Sequence, residues 1–222
     1  MSGKISQKDA LEKARRFRGF AEDALKRLSD QSSDVHAMDK AWSDFVSDWD
    51  SGLEFCIKAA NGGRTKNIAD AIISARKHDA IIQYAFQSRN AEFHGPQIAE
   101  VKEGEMHVVD RHSGTTAIKI SGTSKNIILE GNVIAGPQGV RKLPDIVGDF
   151  SDGTFVGMTD DPKGIRFVRS SFELLPARNR NVEYKVPQFE GVPDRDIPKT
   201  IAVYCIKYLQ IQIGRIEESF DG

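Results

Sequence analysis

The stretch SRNAEFHG, Ser88 to Gly95, sets an arginine, an asparagine and a histidine close together and then meets a Gly-Pro pair. These residue types can do chemistry on a phosphodiester. Histidine, with an ordinary pKa of about 6.5, moves protons near neutrality. Arginine offers a planar fork that fits phosphate oxygens. Asn90 can hold an imidazole in one tautomer or bind a phosphate oxygen itself. Together they suffice for metal-independent RNA cleavage. A base takes the 2′-hydroxyl proton, the oxygen attacks the adjacent phosphate, arginine stabilises the added negative charge, and an acid protonates the departing 5′-oxygen.

Spacing limits what one copy can achieve. On a helix of 3.6 residues per turn, Asn90 and His94 share a face, whereas Arg89 and His94 point about 140° apart. A second copy of the helix across a two-fold axis would bring its own Arg89 and His94 and supply both base and acid. Arg89 also breaks the local pattern. It follows Ile82 and Phe86 on the side that should be apolar, where a charge needs a partner, a wet interface or a task. The alternative to chemistry is therefore structural. Arg89 would pair with an acid of the second helix, such as Asp48, and His94 would favour the helix C-terminus by its charge.

The elements that must position these residues are legible from periodicity. All eight prolines lie at or after Pro96, and ten of the nineteen glycines lie between Gly104 and Gly164. The first 95 residues thus read as helical and the next hundred as something else. Leu11, Ala14, Phe17, Ala21, Ala24 and Leu28 form one helical stripe, opened by Ser6 with Asp9 as its capping pair. Trp42, Phe45, Val46, Trp49, Leu53, Cys56 and Ala60 form a second, closed by Asn61-Gly62-Gly63. A third segment runs from about Asn67 to His94, with Ile82, Phe86 and Phe93 on its apolar side. Asp79 is placed to cap a new start within it. Each stripe needs a partner, so a bundle is expected.

From about Glu105 the period changes. MHVVD, TTAIKIS, KNIILEGNVI, TFVGM, RFVRSSF and VEYKV predict five to seven short antiparallel strands. The final segment from Asp196 fits both periods, but Pro198 suits a first helical turn and the length exceeds a usual strand, so a helix is expected. The fold class is α+β: an up-down bundle of four to five helices with an inserted antiparallel β-rich region. The expected limits are 1–95 for the bundle, 96–195 for the β-rich region and 196–222 for a helix returning to the bundle.

Other chemistry-bearing patterns are lacking. There is no Gly-rich dinucleotide loop and no Gly-x-Ser-x-Gly elbow. The run from Gly148 to Thr154 lacks a phosphate-binding lysine and reads as a turn. His36, His78, His94, His107 and His112 form no i, i+4 pair and no Cys cluster joins them, so neither metal nor cofactor is expected. Cys56 and Cys205 sit in apolar runs as buried free thiols. The acidic pairs Asp160-Asp161 and Asp194/Asp196 lie in turns. The net charge of -1 excludes whole-chain basicity as a route to nucleic acid and leaves only local patches. Two such patches are Arg64, Lys66, Arg76 and Lys77 on the third segment, and Lys13, Arg15, Arg16, Arg18, Lys26 and Arg27 on the first helix. The acids of the second helix, Asp39, Asp44, Asp48, Asp50 and Glu54, are expected to face those basic helices. With no apolar leader in MSGKISQKDALEK and no membrane-length apolar run, a reducing cytoplasm is expected.

Arg-Asn-x-x-x-His at a helix end, in a small bundle, resembles the HEPN superfamily, whose signature is an arginine, a polar residue often asparagine, and a histidine four to six residues after the arginine. The resemblance covers the first 95 or so residues and the C-terminal helix. It implies a homodimeric bundle with the motif at the dimer interface and Arg89, Asn90 and His94 in the catalytic roles. Active members are metal-independent endoribonucleases, often in toxin–antitoxin or phage-defence systems. RNA is then the expected substrate, with Arg64, Lys66, Arg76 and Lys77 as contacts and an antitoxin or other protein as a further partner. The competing expectation is a dimeric interaction or RNA-binding protein without enzymatic activity, whose β-rich region takes a protein partner.

Overall fold

The computed structural model describes residues 5–30, 35–94, 98–136, 139–151 and 154–220, with the side chains of Arg64, Glu92, Phe93 and His94 outside that description. The helix stop expected at Gly95-Pro96 and the turn at Gly153 also lie outside the described residues. The chain divides into two compact units, one of Met1–Glu100 with Glu173–Gly222 and one of Val101–Phe172.

The first unit holds five α-helices among the described residues: α1 (Gln7–Ser29), α2 (Val35–Ala59), α3 (Lys66–His78), α4 (Ala80–His94) and α5 (Ile197–Phe220). Helix α1 starts where the sequence places its cap: the Ser6 hydroxyl oxygen accepts the Asp9 N–H at 3.0 Å, and its O–H donates to Asp9 Oδ2 at 2.6 Å. Asp79 separates α3 from α4. Its Oδ1 accepts the N–H groups of Ile81 and Ile82 at 2.9 and 3.0 Å, so the third segment is two helices. Helix α5 carries Pro198 in its first turn and buries Ile201, Cys205, Leu209, Ile213 and Ile216 at helical spacing, which resolves the ambiguous period.

Bulky side chains fill the centre of this unit. Trp42, Phe45, Trp49, Tyr84, Ile82, Ile201 and Leu209 are fully buried. The Trp49 indole N–H donates to the Cys205 carbonyl oxygen at 2.9 Å, so α2 and α5 meet through a satisfied polar group as well as by packing. Their approach is close at Gly52, where a Cβ would lie 2.8 Å from Leu209 Cδ2.

Twelve strands occur among the described residues, not five to seven: β1 (Ala99–Lys102), β2 (Glu105–Val109), β3 (Thr116–Ser121), β4 (Ser124–Leu129), β5 (Val133–Gly136), β6 (Gly139–Lys142), β7 (Ile146–Ser151), β8 (Thr154–Thr159), β9 (Ile165–Val168), β10 (Ser171–Leu174), β11 (Ala177–Asn179) and β12 (Val182–Tyr184). The expectation fell short because turns cut two of the runs. KNIILEGNVI contributes to both β4 and β5, and RFVRSSF to both β9 and β10. Strands β1, β6, β7 and β11 are short or interrupted by Gly, Asp and Arg, so they carry little period-2 signal.

The strands form small sheets ordered β3-β2-β9, β4-β7-β8, β5-β6, β1-β10 and β11-β12. The pairs β2–β3, β2–β9, β4–β7, β7–β8, β5–β6 and β11–β12 are antiparallel. In the second unit, Met106 and Val108 of β2 alternate inward with Ile146 and Phe150 of β7, and Ile127 and Leu143 complete that core. The chain leaves the first unit along β1 and returns along β10. The hairpin β11–β12 belongs to the helical unit and turns through Arg180 and Asn181 at φ of 47° and 66°, the two positive values a type I′ hairpin requires.

Candidate functional site

Helix α4 positions the residues of interest. With Asp79 fixing its start, α4 buries Ile82, Tyr84, Ala85, Gln87, Ser88 and Ala91, a face wider than a single stripe. Part of that cover is the β11–β12 hairpin. Asn179 Nδ2 donates to Gln87 Oε1 at 2.8 Å, and the Tyr84 hydroxyl donates to the Leu175 carbonyl at 2.9 Å. Tyr84 and Gln87 are thus hydrogen-bonded, whereas the buried Ser88 hydroxyl has no hydrogen-bond partner among the described residues.

Arg89 does sit on the apolar side, and its partner is an acid of α2. That acid is Asp50, not the expected Asp48: Arg89 Nε lies 3.5 Å from Asp50 Oδ2. Asp50 falls four residues after Val46 and three before Leu53, on the buried stripe itself, so its side chain is only 4% exposed. A charge on an apolar stripe was the signal that singled out Arg89, and the same signal marks Asp50. The other oxygen of Asp50 accepts from Arg76 Nη2 at 2.6 Å, and Arg76 Nη1 donates to Glu54 Oε1 at 2.5 Å. The Arg76 guanidinium also rests over the Phe86 ring, 4.7 Å from its centroid. Burial lifts the Asp50 carboxyl above the ordinary carboxylate range, against the pull of Arg76 and Arg89.

Arg89 and Asn90 are brought together. Arg89 Nη1 donates to Asn90 Oδ1 at 3.4 Å, and the Arg89 side chain keeps 35% of its surface open. His94 is the last residue of α4, but its imidazole lies outside the described residues. Of the expected RNA contacts, Lys66 and Lys77 are exposed at opposite ends of α3. At a rise of 1.5 Å per residue they stand roughly 16 Å apart. Arg76 is a correction to that set: its side chain is only 10% exposed and is held by two carboxylates and a ring, so it belongs to the interior. The Arg64 side chain lies outside the described residues. Three of the five α2 acids meet cations of the basic helices, with Asp44 on Arg27 at 2.7 Å and Asp50 and Glu54 on Arg76.

Other titratable groups offer less. Cys56 and Cys205 are buried free thiols; burial pushes Cys56 up to about 12 and Cys205 well above its ordinary value, so neither is a ready nucleophile. On β2–β3, His107 Nε2 lies 2.7 Å from Glu105 Oε2 and its Nδ1 lies 3.0 Å from Thr116 Oγ1. Lys119 also reaches Glu105, at 2.5 Å, and these bonds hold that carboxyl below its usual range. This arrangement ties two neighbouring strands across one sheet face. Among the described residues no group of three or more His, Cys, Asp or Glu side chains could hold a metal, and no helix is long and apolar enough to cross a membrane. Comparison of the chain with protein families, with curated proteins and with solved structures finds no match.

Proposed function

We propose that this chain is a metal-independent endoribonuclease of the HEPN type, acting as a homodimer on single-stranded RNA or RNA loops. Its setting would be the cytoplasm, in a toxin–antitoxin or phage-defence role. The observation that carries this reading is the contact of Arg89 with Asn90 near the end of α4, with about a third of the Arg89 side chain open. Arg89 stabilises the charge that develops on the phosphate, Asn90 orients, and two His94 imidazoles related by a two-fold axis act as base and acid. The purified protein is expected to cut single-stranded RNA in EDTA and leave cyclic phosphate ends. His94→Ala abolishes cutting without lowering the melting temperature, and Arg89→Ala slows it by about 100-fold or more. Equal cutting by the His94 variant overturns the reading.

A second reading has its own support. Arg89 and Arg76 share one buried carboxylate, which is what a structural ion pair between helices looks like. The chain would then be a dimeric interaction or RNA-binding protein without enzymatic activity, its β-rich unit taking a protein partner. RNA left whole by the wild type, with Arg89→Ala melting early, decides for this second reading.

A further inference from the structure

Six cations of α1 stand out in the sequence, and ion pairing sorts them. Arg15 bonds Glu12 and, at 2.7 Å, Glu217; Arg18 lies 3.2 Å from Glu22; Lys26 lies 2.8 Å from Asp23; and Arg27 lies 2.7 Å from Asp44. Lys13 and Arg16 remain. Among the described residues neither meets a carboxylate, and the same is true of exposed Lys58 on α2. Acids one turn away on the same helices are engaged elsewhere: Asp9 with the Ser6 cap, Glu12 with Arg15 and Glu54 with Arg76.

These three cations rest on aromatic rings instead. The ammonium groups of Lys13 and Lys58 lie 5.2 and 4.6 Å from the centroid of one ring, Phe55. Phe55 is stacked on Phe17 at 5.6 Å and 12°, and Phe20 stands edge-on to Phe17 at 5.9 Å and 88°. Arg16 lies 5.2 Å from the Phe20 centroid, and Phe20 is 40% exposed. Two like charges beside one ring, neither paired with a carboxylate among the described residues, repel each other. A bound phosphate would relieve that repulsion.

We propose that Lys13, Arg16 and Lys58, on the floor of Phe17, Phe20 and Phe55, form a binding surface for single-stranded nucleic acid. The lysines take backbone phosphates as point charges. The flat Arg16 guanidinium and the exposed Phe20 ring offer stacking surfaces to bases. A lipid surface fits less well. An interfacial helix sinks a broad apolar face into the bilayer, whereas here Phe17 and Phe55 are half-buried, two ammonium groups cover Phe55, and Phe20 alone of the three rings is exposed. The surface binds whether or not the Arg89 site cuts.

The test uses the full chain and a fluorescein-labelled strand of twenty thymidines, which has no 2′-hydroxyl and so reports binding alone. Anisotropy is measured in EDTA from about 50 to 200 mM salt. Wild type is expected to bind. Lys13→Gln/Arg16→Gln/Lys58→Gln is expected to bind at least about tenfold more weakly, with the slope of log K against log salt reduced by about two. Phe20→Ala should weaken binding by about fivefold and leave the slope unchanged. Because this strand cannot be cut, its binding is read independently of cutting, which separates failure of the nuclease reading from failure of this one. Circular dichroism melts verify that each variant is folded. Three results overturn the proposal: no wild-type binding, equal affinity in the triple variant, or loss in that variant of binding to phosphatidylserine vesicles or of self-association while strand binding persists.

Discussion

Each unit buries an aspartate beside an arginine, and the two solutions differ. In the helical unit the partners of Asp50 among the described residues come from distant helices, Arg76 of α3 and Arg89 of α4. In the β-rich unit Asp110 is held mainly by its own loop. The Ser113 hydroxyl donates to Oδ2 at 2.8 Å, the His112 N–H donates to Oδ1 at 3.1 Å, and Arg141 joins at 3.0 Å. Burial dominates at Asp50 and lifts its carboxyl. The Ser113 and His112 bonds dominate at Asp110 and hold its carboxyl below the ordinary range. One acid joins helices across the fold, and the other shapes a turn.

The cores differ in the same sense. The helical unit closes over Trp42, Phe45, Trp49 and Tyr84. The β-rich unit packs one face of its sheets and leaves Val156 and Met158 of β8 73% and 76% exposed on the other. The largest test of this contrast truncates each core. Trp49→Ala and Phe150→Ala should each cost about 3–5 kcal/mol. Peptide-level hydrogen exchange should show the loss confined to the helices in the first variant and to β2–β9 in the second. Equal deprotection of both units by either variant would mean they unfold as one, and the contrast would lapse.

A test of intermediate size concerns the two acids. Asp50→Ala should cost about 3 kcal/mol, because it leaves Arg89 and Arg76 short of a buried partner. The pH profiles should change with opposite sign. A lifted carboxyl adds stability that is complete below about pH 3.9 and fades as pH rises through the lifted value. A lowered carboxyl adds stability that is complete above about pH 3.9 and is lost as pH falls through the lowered value. Melting temperature against pH should therefore flatten above about pH 4 in Asp50→Ala and below it in Asp110→Ala. Matching changes in the two variants would refute the distinction.

The smallest effect comes from two glycines. In β7 and β8, Gly148 and Gly157 face each other with the Phe155 ring over them, and a Cβ on Gly157 would lie 2.7 Å from Gly148 Cα. Backbone cannot yield there, so Gly157→Ala should cost about 1–3 kcal/mol in urea unfolding. A Cβ on Gly52 instead meets the flexible end of Leu209, and the gain in helix propensity of about 1 kcal/mol offsets the shift, leaving Gly52→Ala near neutral. Similar costs at both sites would show the helical packing to be as unyielding as the sheet.

The helical unit was the more legible of the two. Ser6 with Asp9, the break at Asp79 and Pro198 in the first turn of α5 all announce themselves locally, because caps and periodic stripes are short-range properties. The strands were legible as a class but not in number, because four-residue strands such as β6 (Gly139–Lys142) leave too few positions for an alternation. At the candidate site, Arg89 beside Asn90 follows from adjacency. Asp50 required a comparison of stripes between helices, and the inward turn of Arg76 was masked by its place in a basic run. Which cations stay unpaired is a tertiary property, since it depends on where every nearby acid has gone.

The Asp79 carboxylate does more than divide α3 from α4. While one oxygen starts α4, the other accepts the Tyr204 hydroxyl of α5 at 2.7 Å, and this bond helps raise that phenol to about 12. Tyr204 is exposed, so a hydroxyl on the outer surface of α5 is tied to the carboxylate that starts the helix carrying Arg89. Tyr204→Phe would remove that tie and leave the two N–H bonds of Asp79 Oδ1 in place.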